Sequence, residues 1–437
     1  MLATFELRTM ATDNPYSAPQ HALEPAASKP GSLLVIFLTV FIDLLGFGMV
    51  IPLLPIYADQ FTVDELGWQL GALMASFSVM QFFCAPLWGR LSDRIGRRPV
   101  LMIGLAGSIA FYLLFGVATV MKSLSLLFVA RIGAGIAGAT ISTAQAYIAD
   151  TTSLENRSKG MALIGMGFGL GFTFGPLLGF LAVPSQNAEP GPWPGYAAAI
   201  LSAIALGMAA FLLPESKHAG SEAAGKKIFD ARAFRVAMSV PSVALILVAM
   251  FVCIFSFGNF ETTLSMLIKG GDKVTGSPFK FSWRDICLTY AFIGFTLALV
   301  QGGVVRRLAG KISEGVLAAT GALIEVMGFG LMLAAISNGS TGMLFGALAV
   351  VVTGFSFMQP NLNALLSRRS DPQKQGMILG VGQSVSSLAR IFGSGLGIPL
   401  LKMQIAMPYY VATGLMGLGL LLVVVASRSG KDYSAPV

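Results

Sequence analysis

Twelve stretches of about 20 mostly apolar residues, each long enough to cross a bilayer as a helix, recur along this 437-residue chain. They lie near 33–57, 67–89, 99–120, 124–149, 159–183, 195–213, 237–260, 286–305, 313–336, 341–366, 376–400 and 406–427. Backbone surrounded by hydrocarbon must satisfy its own N–H and C=O groups, which restricts spanning segments to helices or closed barrels. Runs of this length are read as helices, so the expected class is an all-α membrane protein. Composition agrees: 55% of residues are hydrophobic and 11% charged, against roughly a quarter charged in soluble proteins. The 51 glycines suit helices that pack closely in lipid.

Charge placement predicts an orientation. If the N-terminus is cytoplasmic, most of the 29 Lys and Arg fall in loops on the inner side, and Lys122, Lys269, Lys273, Lys280, Arg284 and Lys402 fall on the outer side. Arg131 and Arg390 lie within spans. Trp68, Trp88, Trp193 and Trp283 fall at predicted helix ends, as interfacial tryptophans do. The expected organisation is a disordered cytoplasmic tail (1–31), a first six-helix bundle (32–213), a cytoplasmic linker (214–236), a second six-helix bundle (237–427) and a short cytoplasmic tail (428–437). The chain starts at Met1 or at Met10. The setting expected is the inner (cytoplasmic) membrane of the cell, as a monomer. Cys84, Cys253 and Cys287 have neither disulfide-framework nor metal spacing, and His21 and His218 lie outside the spans. Proton handling inside the membrane therefore falls to carboxylates. No GxxxxGK[ST] phosphate loop occurs, so ATP is not an evident fuel; no metal is expected, and no cofactor beside the proton gradient. Lipid rather than nucleic acid is the partner the net charge of +8 implies, given where the charges sit.

The two halves carry traces of a repeat. A shift of 216 aligns Gly138 with Gly354, Gly160 with Gly376, Met161 with Met377 and Gln145 with Asn361. A shift of 217 aligns "RLSDRI" at Arg90 with "RLAGKI" at Arg307. Such pseudo-symmetric halves are a common transporter architecture. Between the second and third spans lies "GRLSDRIGRRPVL", Gly89 to Leu101, with Arg90, Arg94, Arg97 and Arg98 around Asp93. The arginines hold this loop on the inner side. Gly89 and Gly96 allow a tight turn or close approach. Asp93 suits a helix N-terminus, where the dipole favours an anion; the eleventh span, starting near Gly376, is the nearest expected candidate.

This loop resembles the signature loop of the major facilitator superfamily at Gly89, Asp93, Arg94, Gly96, Arg97, Arg98 and Pro99. The resemblance implies the family's fold, with gating at that loop through Gly89, Arg90, Asp93, Arg94, Gly96, Arg97 and Arg98. "ARIGAGIAGATISTAQAYIADTT" in the fourth span resembles the Arg-centred motif of proton-coupled members, and assigns Arg131 to proton coupling. "GFGLGFTFGPLLGF" in the fifth span resembles the antiporter motif through Gly171, Gly175, Pro176 and Gly179, with Phe180 where the pattern prefers a second glycine. "FIDLLGFGMVIPLLP" resembles the first span of tetracycline-resistance efflux pumps. Phe111, where those pumps tend to carry an acid, and Leu297, where they carry a histidine, weigh against tetracycline itself as substrate.

Charges inside a span are costly and mark pathways or pairs. Asp43 reads as a proton carrier or as the static partner of a base. Arg131 pairs with Asp43 or snorkels outward. Glu325 couples protons, as the matching acid of the tetracycline pumps suggests, or stays protonated against a neighbouring helix. Arg390 binds an anionic group or answers an acid; Glu261, near the outer end of the seventh span, reads as interfacial or at the cavity mouth. Gln145, Gln301, Asn361 and Gln383 line a substrate cavity or serve as interhelical hydrogen-bonding glue. The glycines of the fifth span form a flat packing face with a kink at Pro176, and a seal between halves. The expected function is alternating-access export of small, partly hydrophobic, drug-like compounds in exchange for protons. Proton-coupled uptake of a sugar or other metabolite is the alternative, and a non-transporting receptor or scaffold the alternative of another class. An enzyme is not expected.

Overall fold

The computed structural model describes residues 32–61, 64–152, 157–183, 191–216, 231–270, 276–370 and 375–429. The predicted N-terminal tail, most of the linker, both histidines and all but two residues of the C-terminal tail lie outside these. The first span is α1 (Ser32–Val50) followed by α2 (Leu54–Phe61). The break is at Pro52, which lacks an N–H and disfavours helix in the residue before it. The second and third spans are α3 (Trp68–Ile95) and α4 (Arg97–Val120). The fourth is α5 (Leu124–Gly138) and α6 (Ile141–Thr151), parted by a tightened turn at Ala139–Thr140 after a glycine-rich run. The fifth and sixth are α7 (Arg157–Ala182) and α8 (Trp193–Leu212). A short α9 (Ala231–Met238) precedes α10 (Pro241–Lys269). The eighth span is α11 (Trp283–Leu299), a π-helical turn (Val300–Val305) and α12 (Arg306–Leu308); the last four are α13 (Glu314–Asn338), α14 (Thr341–Arg368), α15 (Gln375–Met403) and α16 (Met407–Arg428). Eleven of these spans are long and apolar enough to cross a membrane. The remaining one, α7, is 26 residues long and carries the apolar run Met166–Ala182.

Packing divides these helices into two groups. In the first, α1 lies on α7 and α8, and α4 lies on α5 and α8. In the second, α10 lies on α15 and α16, and α13 on α14 and α16. The groups meet along two seams, α3 against α15 and α7 against α11. Apolar side chains such as Phe211 and Leu181 stay 89% and 73% exposed, an arrangement stable in lipid but not in water.

Among the described residues, the polar contacts between groups gather at one end, called distal below. Lys402 of α15 donates to Asp59 of α2 at 2.6 Å, with both side chains nearly buried. The Arg284 guanidinium donates to the Val183 carbonyl and lies over the Phe180 ring. Trp283 packs on Tyr57 and takes Lys269 over its ring. Trp283, the first residue of α11, is therefore buried among protein contacts, and Trp88 sits inside α3 with its indole N–H donating to the Ile136 carbonyl. In the distal loop the Asp64 carboxylate accepts the backbone N–H of Gln69 and of Leu66, which holds its carboxyl below the usual range.

At the opposite, proximal end the arginine-rich stretch is not a loop. Helix α3 runs through it to Ile95, and the whole turn is Gly96 at φ +106°, a backbone conformation that favours glycine. Gly89 lies inside α3 and a Cβ there would touch nothing, so the expected turn or close approach at Gly89 is absent. Asp93 pairs with Arg97 at 2.5 Å; its expected partner, the start of the eleventh span near Gly376, lies outside the residues whose side-chain contacts are described. Arg97 also reaches Asp150 at the end of the fourth span (3.0 Å) and the Ser92 hydroxyl. The anion at a helix N-terminus is Glu215, whose carboxylate accepts the backbone N–H of Arg97 and Arg98 at the start of α4. Arg98 donates to the Ala209 and Ala210 carbonyls at the end of α8.

Candidate functional site

Between the two groups lies a cavity of about 340 Å³. Its wall runs from Leu264 and Tyr290, on the distal side, to Ala85, Gln145 and Gln383 toward the proximal end. Most of the lining is aromatic or apolar, including Phe47, Phe77, Phe172, Phe257 and Phe355. A cavity of this size with a few placed polar groups is the usual form of a small-molecule site.

On the first group's wall stands Asp43 of α1. It faces the cavity rather than lipid because α1 is pressed onto α7 from the other side: a Cβ on Gly48 would lie 2.6 Å from the Gly171 carbonyl oxygen. The Ser202 hydroxyl of α8 donates to Asp43 Oδ1 at 2.8 Å, and Ser108 of α4 is a second hydroxyl partner. Tyr112 lies within electrostatic range of both Asp43 and Arg131. Arg131 is buried with its guanidinium carbon 4.6 Å from the centre of the Phe77 ring, and its Nε has no partner. It therefore neither pairs with Asp43 nor snorkels. The Phe77 ring, itself part of the cavity wall, separates the guanidinium from the cavity.

On the second group's wall stand Glu261 of α10, Tyr290 of α11, and Gln383, Ser387 and Arg390 of α15. The Tyr290 hydroxyl donates to the backbone carbonyl of Glu261 at 3.2 Å. Glu261 is not at the outer end of its span, because α10 continues to Lys269.

The four amides part company. Gln145 and Gln383 line the cavity. Asn361 is buried and donates back to the Phe357 carbonyl of its own helix, and Gln301 sits in the π-helical turn away from the lining. Glu325 is not brought to the cavity either. It is wholly buried between α13 and α14, against Gly354, with both carboxyl oxygens unpartnered. Gly171 and Gly175 lie against α1, and Gly179 reaches Met49 and Cys287, so the fifth span's glycine face serves packing within the first group and touches the α7–α11 seam. Pro176 sits inside α7 without ending it. Sequence reasoning did not single out Gln81, Tyr112, Ser108 or Ser142 as cavity residues. Gln81 carried a signal, as the one polar side chain in the run "VMQFFC".

Residues 36–394 match the model of the Major Facilitator Superfamily. The class C tetracycline resistance protein of Escherichia coli is 33% identical over 365 residues, covering 83% of this chain and 87% of that protein. Multidrug resistance protein 2 of Bacillus subtilis (strain 168) is 28% identical over 424 residues, covering 94% and 100%. Among solved structures, the human organic anion transporter MFSD10 (TETRAN) superposes with a TM-score of 0.69 at 26% identity, covering 90% of this chain and all of that one.

Proposed function

Since the chain belongs to the major facilitator superfamily, we propose that this multi-pass membrane protein exports small, partly apolar compounds in exchange for protons, with Asp43 as the proton carrier. The observation that carries this reading is the position of Asp43: an ionisable group on the first span that faces the cavity between the two helix groups, held by hydroxyls and not by a base. A carboxylate tied to an arginine would be locked in its ionised form. One held by neutral donors exchanges a proton with the cavity when water reaches it.

With the proximal end on the cytoplasmic side, as the positive loop charges imply, the distal contacts close the outside and the cavity serves the inside. A compound entering from the cytoplasm or inner leaflet lies against the phenylalanine wall, and Gln145 and Gln383 orient its polar groups. Breaking the distal contacts exposes the same cavity to the outside. There the compound leaves, Asp43 takes a proton, and return of the empty carrier releases that proton inward. The proton gradient supplies the drive, and no cofactor enters the cycle. The names of the tetracycline and multidrug relatives favour export as the direction.

Inverted vesicles carrying a lumenal pH dye test the reading. Under an acid-inside gradient, an exported compound added outside makes the lumen more alkaline. Asp43→Asn abolishes that compound-dependent signal while the protein remains in the membrane. If the variant exchanges protons like the wild type, the assignment of Asp43 is wrong.

A further inference from the structure

The geometry points to an anion-reading subsite in the cavity, in which Arg390, with Glu261 as its resident counter-charge, binds the carboxylate or sulfonate of a substrate that also carries an aromatic ring system. This rests on the cavity being the substrate site.

Three observations converge on it. First, the pair is placed by a rigid crossing. Helices α10 and α15 meet backbone to backbone, where a Cβ on Gly393 would lie 3.0 Å from the Asn259 nitrogen and one on Gly258 would lie 3.7 Å from the Arg390 Cα. Glu261 follows Gly258 by three residues, so it emerges one turn along on the same face of α10. Both side chains line the cavity.

Second, the acid and the base interact at a distance without touching. Glu261 lies within electrostatic range of Arg390, yet no ion pair joins them within 4.0 Å, a span in which four other pairs of the described residues do meet. Lys402 and Asp59, by comparison, close to 2.6 Å. Arg390 is also the one basic side chain among the described residues that line the cavity. A guanidinium offers a planar fork of donors that matches a carboxylate or sulfonate at two points, and here Arg390 is exposed on the cavity wall.

Third, the surroundings fit the rest of such a ligand. Phe257 and Phe355 stack at 3.9 Å between centres on the same wall and present an apolar slab beside Arg390. The opposite wall bears Asp43 with hydroxyl partners and no base of its own. A ligand anion is repelled there and drawn to Arg390, which fixes which way round the molecule lies. Glu261 then acts as a competitor: it occupies the guanidinium's field in the empty cavity and must be displaced by the ligand's anionic group.

The test is equilibrium binding, without a gradient, to the purified full chain in lipid nanodiscs, by isothermal titration calorimetry. The probes are 1-naphthaleneacetate, its neutral amide, and 1-naphthylmethylamine. Wild type is expected to prefer the anion over the amide. Arg390→Gln weakens the anion by roughly 30-fold or more, the usual cost of removing one partner of a charged contact, and leaves the amide unchanged. Arg390→Lys retains part of the preference. Glu261→Gln, which removes the competitor, tightens the anion by about tenfold with no change for the amide. Absence of an anion preference in wild type overturns the subsite. So does an Arg390→Gln protein of unaltered anion affinity, or a Glu261→Gln protein that binds the anion no better. Because no proton movement is measured, this outcome is independent of the Asp43 exchange assay, and either can fail alone.

Discussion

Asp43 and Glu325 carry the same signal in the sequence, an acid in mid-span, and the fold treats them oppositely. Asp43 opens onto the cavity with a hydroxyl donor at 2.8 Å. Glu325 is sealed against Gly354 with neither oxygen satisfied. What decides between them is the rotation of each helix about its axis, and that is set by which glycine lies opposite. Periodicity within one helix does not report it. The same reason separates Gln145 and Gln383, which face the cavity, from Asn361 and Gln301, which do not. A buried unpartnered polar group costs about 1–3 kcal/mol, so Glu325→Met is expected to raise stability by an amount in that range and to leave proton exchange within about twofold of wild type. Thermal unfolding in detergent and the vesicle assay check the two parts. Loss of exchange in a well-folded Glu325→Met protein would return this residue to the proton pathway.

At the scale of elements, the length of each span was readable because bilayer thickness fixes it, and eleven of the twelve expected spans meet that length and apolarity. The connections were not, because they depend on which helix ends meet. The stretch from Gly89 to Leu101 reads as a charged loop and folds as two helix ends around Gly96, with Arg97 joining Asp93 and Asp150. The second half does the same job with the charges exchanged. There the acid, Glu314, starts α13, and the base, Arg368, ends α14 at 2.8 Å from it. In the first half Arg98, at the start of α4, reaches the last carbonyls of α8; in the second Arg369, at the end of α14, reaches those of Ser427 and Ser429 near the end of α16. Alignment by residue identity misses this equivalence, since the second copy lacks both the aspartate and the basic pair. The Arg97–Asp150 contact is only partly exposed, with Arg97 at 12%. Arg97→Gln should therefore cost about 1–2 kcal/mol of stability, above the range of an exposed pair, and Asp150→Asn added to it should recover most of that loss. Thermal unfolding of the two single variants and the double variant measures the coupling; additive losses would show that the ion pair holds nothing.

The molecule as a whole is closed at its distal end by groups that the sequence places far apart. Asp59 and Lys402 are 343 residues from each other, and no pattern within either neighbourhood announces the other. Their pair sits where α2 and α15 end, over the crossing at which a Cβ on Gly71 would strike the Gly395 carbonyl. On the other seam a Cβ on Gly294 would lie 2.5 Å from the Phe172 oxygen. Glycine contacts of this kind hold helices close without committing them, since they carry no side chains that interlock. The ion pair, with the Arg284 and Trp283 contacts beside it, therefore selects the closed end. Both its side chains are nearly buried, at 10% and 12% exposure, and removing one partner of a buried pair costs about 3 kcal/mol or more. That cost falls on the distally closed state alone, because opening the end returns the surviving charge to water. Lys402→Met is thus expected to shift the balance toward distal opening by roughly 100-fold, and Asp59→Asn in the same chain to reverse most of the shift. Spin labels at Glu65 and Gln404, both exposed beside the seam, report the opening by double electron–electron resonance. The single variant should gain a longer distance that the double variant loses. An unchanged distance distribution in Lys402→Met would mean that the remaining distal contacts, Arg284 on Val183 and Trp283 on Tyr57, together with the glycine seams, close the end without the pair.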